Sequence, residues 1–95
     1  MPRSRYAFQP GIQPHFVTST VVGGLPVFAR PELAQIVLDS WAFLQSEQRL
    51  VLHGYVIVEN HLHFVASAAD LATQLGDLRS FTARRILDWL QAHHE

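Results

Sequence analysis

Between Val51 and Ser67 the chain reads VLHGYVIVENHLHFVAS, an apolar stretch broken once, at Glu59-Asn60. That single break constrains the fold more than any other feature. Two apolar runs separated by two polar, turn-forming residues make an antiparallel hairpin, because so short a connection cannot cross over to a parallel neighbour. The runs predict one strand over 49–58 and another starting at His61. Asn60 suits the turn because asparagine tolerates left-handed backbone angles. The first run is so apolar that it reads as a strand inside the sheet, with both faces at least partly covered. In the second run His61 and His63 share parity. Both imidazoles therefore aim at one face of the sheet, with their Cα atoms roughly 7 Å apart, and two converging imidazoles are the beginning of a metal site.

The rest of the chain supplies partners for this hairpin. Residues 15–22, HFVTSTVV, concentrate β-branched side chains and alternate polar with apolar, which predicts a half-buried strand ending at Gly23-Gly24. LPVFARPE is a connection, and Pro31 with Glu32 suits the first turn of a helix. Leu33, Ile36, Val37, Trp41 and Leu44 recur at three- and four-residue spacing, giving an amphipathic helix of about 15 residues with Trp41 in the core rather than at a ligand. Asp70 is the expected N-cap of a long helix toward residue 92, with Leu71, Leu75, Leu78, Ile86 and Trp89 as its buried stripe. Gly76 weakens that helix locally, by about 1 kcal/mol relative to alanine. Residues 1–13, rich in Arg, Pro, Gln and Gly, form an irregular lead-in, and 14–95 form the domain.

Composition narrows the function classes. With 95 residues a single domain is expected. The chain has no cysteine, so disulfide frameworks and thiolate metal sites are excluded, and any bound metal must be held by nitrogen and oxygen. No apolar run approaches the roughly 18 residues needed to span a membrane, and MPRSRYAFQPG is too polar and proline-broken for a signal peptide. A cytoplasmic protein is the default expectation. The net charge of −1 argues against a strongly basic nucleic-acid binder. All 7 basic residues are arginine, however, and Arg79, Arg84 and Arg85 fall in one short segment beside Ser80 and Thr82. Arginine suits phosphate because its planar fork donates two parallel hydrogen bonds; the alternative is a merely solvated helix face.

The order strand, helix, strand, strand, helix is a ferredoxin-like βαββα(β) pattern without its last strand: an α+β fold with an antiparallel sheet and two helices on one face. In such a sheet the first strand lies beside the third. Its outer edge is then left unpaired, which invites a partner chain or a further segment.

Three segments in order, PHFVTSTVVGGLPVF, HGYVIVENHLHFVAS and LRSFTARRI, resemble the single-tyrosine HUH transposases, especially the REP-associated tyrosine transposase branch. In that family a strand reading hydrophobic-x-x-Asn-His-hydrophobic-His carries the metal pair, and a helix reading Ser-x-Thr-Ala-Arg follows. The resemblance spans about residues 14–90. It implies that His61 and His63 hold a divalent ion, Mg²⁺ or Mn²⁺, against the scissile phosphate of single-stranded or hairpin DNA, while Leu62 faces the core. The ion would polarise a phosphoryl oxygen and stabilise the charge developing on it and on the leaving 3′ oxygen. Imidazole is not the preferred ligand of Mg²⁺, so Mn²⁺ is expected to bind more tightly.

The family's nucleophile is a tyrosine on a helix beyond the one formed by SFTARRI, and no residue here matches it. Tyr55 stands where the family has a structural residue, and Tyr6 lies in the lead-in. No catalytic residue is assigned. The helix that carries the tyrosine often completes the metal shell in this family as well. Val58-Glu59 departs from the Met-Pro common in the family. Glu59 shares the parity of the histidines, so it is either an oxygen ligand or a solvated turn glutamate. His15, on the first strand, is a conceivable ligand or a strand-end residue. His53, His93 and His94 have no geometric argument in their favour.

The leading expectation is a homodimeric, transposase-like domain that binds DNA at a metal site, with Arg79, Arg84 and Arg85 as phosphate contacts. A helix spreads these three over different faces, so at most two meet one ligand. A second reading is a DNA- or RNA-binding module without catalysis. A third is a small α+β dimerisation domain in which the histidine pair is incidental.

Overall fold

The computed structural model describes residues 12–93. Most of the 1–13 lead-in, including Tyr6, and also His94 lie outside the described residues. In chain order the elements are β1 (His15–Thr20), α1 (Pro31–Ser46), β2 (Val51–Val58), β3 (His61–Ser67) and α2 (Leu71–Ala92). Two single 3₁₀ turns, Val22–Gly24 and Val27–Ala29, connect β1 to α1. The strands form one three-stranded antiparallel sheet in the order β1-β3-β2, and the fold is α+β.

Helix α1 starts with Pro31 in the first turn, where a missing N–H costs nothing, and with Glu32 beside the positive end of the helix dipole. Its stripe of Leu33, Ile36, Val37, Trp41 and Leu44 is buried as the spacing predicts. Its end is a Schellman motif: the Gln48 N–H donates to the Gln45 carbonyl and the Arg49 N–H to the Leu44 carbonyl, both at 2.9 Å. Gln48 takes the left-handed position, φ 56°, that glycine usually fills. At α2 the predicted cap is present, with Asp70 accepting from the Thr73 N–H at 3.2 Å and the Thr73 hydroxyl at 2.7 Å. These bonds favour the charged carboxylate and hold Asp70 below its usual range.

The core lies on one face of the sheet. Leu62, Phe64 and Ala66 of β3 meet Val37, Trp41 and Leu44 of α1 and Leu78 of α2, with Leu50 from the connection. Trp41 packs edge-on to Phe64, ring centroids 5.1 Å apart, and also touches Tyr55 at 5.1 Å. The helices lie antiparallel, with Phe43 against Phe81 near one end (5.6 Å) and Arg30 over the Trp89 ring near the other (5.4 Å). Arg49 fastens the α1–β2 connection to α2, donating to Gln74 at 2.7 Å and forming an ion pair with Asp77.

Two expectations need correction. Strand β2 is not interior: the hairpin gives β3 its partner on one side, β1 takes the other, and β2 is left at an edge with Val56 57% exposed. The α2 stripe is also less buried than its spacing predicts. Leu78 is the buried residue of α2, Leu71 and Leu75 pack at the margin of the core, and Ile86 and Trp89 are half-buried. The reason is length. At about 1.5 Å per residue a 22-residue helix runs about 33 Å, whereas 7 residues of β3 span about 23 Å.

Candidate functional site

Strand alternation sends Leu62, Phe64 and Ala66 toward the helices, so His61, His63 and Val65 point to the opposite, open face. The register completes that face in three rows: Thr20, His61 and Val58; Thr18, His63 and Val56; Phe16, Val65 and Gly54. The histidine pair therefore sits in the central strand, flanked by two threonines on β1 and two valines on β2. Phe16 stands out at 70% exposure, its ring centroid 5.7 Å from that of His63.

The two imidazoles converge as their shared parity predicts, with ring centroids 4.6 Å apart and planes at 81°. Each Nδ1 has a side-chain partner: Asn60 Oδ1 lies 2.7 Å from His61 Nδ1, and Thr18 Oγ1 lies 3.1 Å from His63 Nδ1. The turn that presents His61 is held from outside. The Val21 N–H donates to the Asn60 carbonyl at 2.9 Å and the Phe28 N–H to the Glu59 carbonyl at 2.8 Å. Neither Glu59 nor Asn60 adopts a positive φ. Asn60 is thus not used for left-handed backbone freedom, as the turn chemistry led us to expect. Its side chain serves the neighbouring ring, while the connection from β1 clamps the turn carbonyls.

Glu59 and His15, each weighed as a ligand, and the remaining described histidines stand apart. Glu59 is exposed in the turn. His15 pairs with Ala66 at the far end of β1 and donates from Nδ1 to the Gln13 carbonyl, 2.9 Å away. His53 Nε2 bonds to Ser67 Oγ at 2.9 Å, and His93 stacks on Trp89 at 3.9 Å. Among the described residues no group of three or more His, Cys, Asp or Glu side chains is arranged to hold a metal ion. What the chain supplies is a two-imidazole donor set with hydroxyls beside it. That set suits Mn²⁺, which takes imidazole nitrogen more readily than Mg²⁺ does, and it leaves most coordination positions to water or to phosphate oxygens.

The three arginines of α2 do not join the histidines, because α2 packs on the other face of the sheet. Arg79 borders an apolar groove beside the outer edge of β1, with Ser19, Thr82 and Ile86 among its lining. Arg84 pairs with Asp88 at 3.6 Å and opens onto a different depression, with Arg49, Asp77 and Phe81. Arg85 is exposed. Sequence reasoning missed Thr18, the side-chain role of Asn60, and Arg49. The first was visible only in part: Thr18 and Thr20 share one parity in HFVTST, but their partner depends on register.

Among the described residues no helix is long and apolar enough to cross a membrane. No family model, curated protein or solved structure matches the chain.

Proposed function

We propose that the chain is a single-tyrosine HUH transposase-like domain with a ferredoxin-like arrangement, which binds single-stranded or hairpin DNA at a divalent-metal site on the open face of its sheet. The observation that carries this reading is the paired presentation of His61 and His63, 4.6 Å apart on the central strand with each Nδ1 engaged. It sits within the three quoted segments that resemble the family. The site fits Mn²⁺ or Mg²⁺, which when bound supplies charge stabilisation at a phosphoryl oxygen. The chain's own part is to position. Histidines on a strand fixed by neighbours on both sides hold their direction better than loop residues would, and the flanking threonine hydroxyls can donate to phosphate oxygens. Arg79, beside the β1 edge, is the best placed of the three arginines for a backbone contact, while Arg84 and Arg85 serve DNA passing over the helices. The outer edges of β1 and β2, which pair with no other strand among the described residues, support a homodimer, and a cytoplasmic setting is part of the same proposal.

Strand cleavage and transfer through a phosphotyrosine, the chemistry of the complete family, would need a tyrosine at the histidine pair. Tyr55 lies on the helix side, against Trp41, which favours a second reading for these residues: a DNA- or RNA-binding module without cleavage. The deciding experiment incubates the purified chain with 3′-labelled, hairpin-flanked single-stranded DNA and Mn²⁺, beside a His61→Ala, His63→Ala variant. Metal-dependent binding lost in the variant supports the proposed site. A covalent adduct would assign cleavage to these residues, and its absence would assign binding alone. No metal-dependent binding in either protein would reject the site.

A further inference from the structure

The two histidines differ from the others among the described residues in how their ring nitrogens are used. His53 spends its Nε2 on Ser67. His15 and His93 use Nδ1, each on a backbone carbonyl near in sequence, and neither faces another imidazole through that bond. In His61 and His63 Nδ1 is held by a side chain from outside β3: the turn residue Asn60 in one case, and Thr18 of the neighbouring strand in the other. We propose that Asn60 and Thr18 are positioning residues that keep the proton of each ring on Nδ1, so that both Nε2 lone pairs are directed at one divalent ion. This rests on the metal reading above and adds to it which atoms ligate and what orients them.

The chemistry is asymmetric, strict at His61 and set at His63 by what its other nitrogen faces. An amide oxygen only accepts, so Asn60 Oδ1 at 2.7 Å requires a proton on His61 Nδ1 and leaves Nε2 as the lone-pair nitrogen. A threonine hydroxyl can accept or donate. Once Nε2 of His63 faces a cation its proton must sit on Nδ1, and Thr18 Oγ1 is then the acceptor. Thr18 can do this because the antiparallel register sets it directly opposite His63, with Cβ atoms about 5 Å apart, and because a β-branched side chain has few χ1 choices. Asn60 can do it because its backbone carbonyl is already tied to Val21, which fixes the turn independently of the side chain. A free neutral imidazole side chain prefers its proton on Nε2, so the arrangement runs against the intrinsic preference and needs both partners.

The test is ¹⁵N NMR of the histidine rings in the metal-free protein, joined to calorimetric titration with MnCl₂, for the full chain and for Thr18→Val, Thr18→Ser, Asn60→Ala and Asn60→Asp. The expected result is an Nδ1–H tautomer at both His61 and His63. Thr18→Val should return His63 alone to Nε2–H and weaken Mn²⁺ binding about tenfold, with Thr18→Ser restoring both, in line with the usual loss of about 10–100-fold when a ligand's hydrogen-bond partner is removed. Asn60→Ala should do the same at His61, with Asn60→Asp retaining the tautomer. An Nε2–H tautomer at either ring of the unmodified protein overturns the proposal. So does Mn²⁺ affinity that is unchanged in both Thr18→Val and Asn60→Ala while the unmodified chain binds, and in that case the metal reading survives. Failure of the unmodified chain to bind Mn²⁺ removes both readings together.

Discussion

The two faces of the sheet are made from the same three alternating strands and meet opposite environments. Toward the helices, Phe64 and Ala66 are 2% and 0% exposed; on the other side Phe16 keeps 70% and Val56 57% of their surface in contact with solvent. Neighbouring residues on β3 thus divide two tasks by parity alone. Leu62, Phe64 and Ala66 supply the burial that stabilises the domain, and His61 and His63 are left available for chemistry. The difference teaches that substitutions one residue apart on β3 should move different observables. It also separates α2 from the histidines, since a helix that completes the core cannot also reach the open face through the sheet.

The sharpest way to break this comparison is Phe64→Ala against Phe16→Ala. The first removes a fully enclosed ring in contact with Trp41 and should cost about 3–5 kcal/mol in urea unfolding, as large-to-small core changes do. The second should stay within about 0.5 kcal/mol; a comparable loss at Phe16 would mean that the open face is covered in solution. Next in size, Leu78→Ala should cost about 2–4 kcal/mol, whereas Leu87→Ala, at a residue 58% exposed on the same helix, should be near neutral. Equal effects would show that the far end of α2 is packed as firmly as its middle.

Smaller changes sharpen the account of what frames the faces. Gln48→Gly relieves a left-handed backbone at the end of α1 and should raise the unfolding free energy by up to about 1 kcal/mol, visible as a shift in the urea midpoint at constant slope. Asp70 supplies a pH signature. Because its carboxyl is held below its usual value of 3.8 in the folded chain, its cap contributes fully above that value and is lost as pH falls through the folded-state value. The difference in melting temperature between Asp70→Ala and the unmodified chain should therefore be constant near neutral pH and shrink below 3.8. A difference that persists unchanged in acid would assign the effect to helix propensity instead of the charged cap.

Much of this architecture was legible in the residues. The α1 stripe, the Asp70 cap and the Glu59-Asn60 break follow from local spacing and local chemistry, and the shared direction of the two imidazoles follows from strand parity. Other features were not legible. An apolar β2 read as interior because hydrophobicity reports what a strand would prefer to bury, not whether a neighbour exists to bury it. Arg79, Arg84 and Arg85 read as a cluster because they are close along the chain, but helical rotation sends Arg79 and Arg84 to different depressions.

The sequence by itself determined the elements, their periodicity and the parity that sets His61 and His63 on one face, since each depends on residues only a few positions apart. The tertiary structure alone decided which face the helices cover, that β2 is an edge, and which atoms touch the imidazoles. Thr18 and His63 are 45 residues apart in the chain and meet only because the register of β1 against β3 sets them opposite each other, a long-range choice made by burying one whole face of the sheet at once.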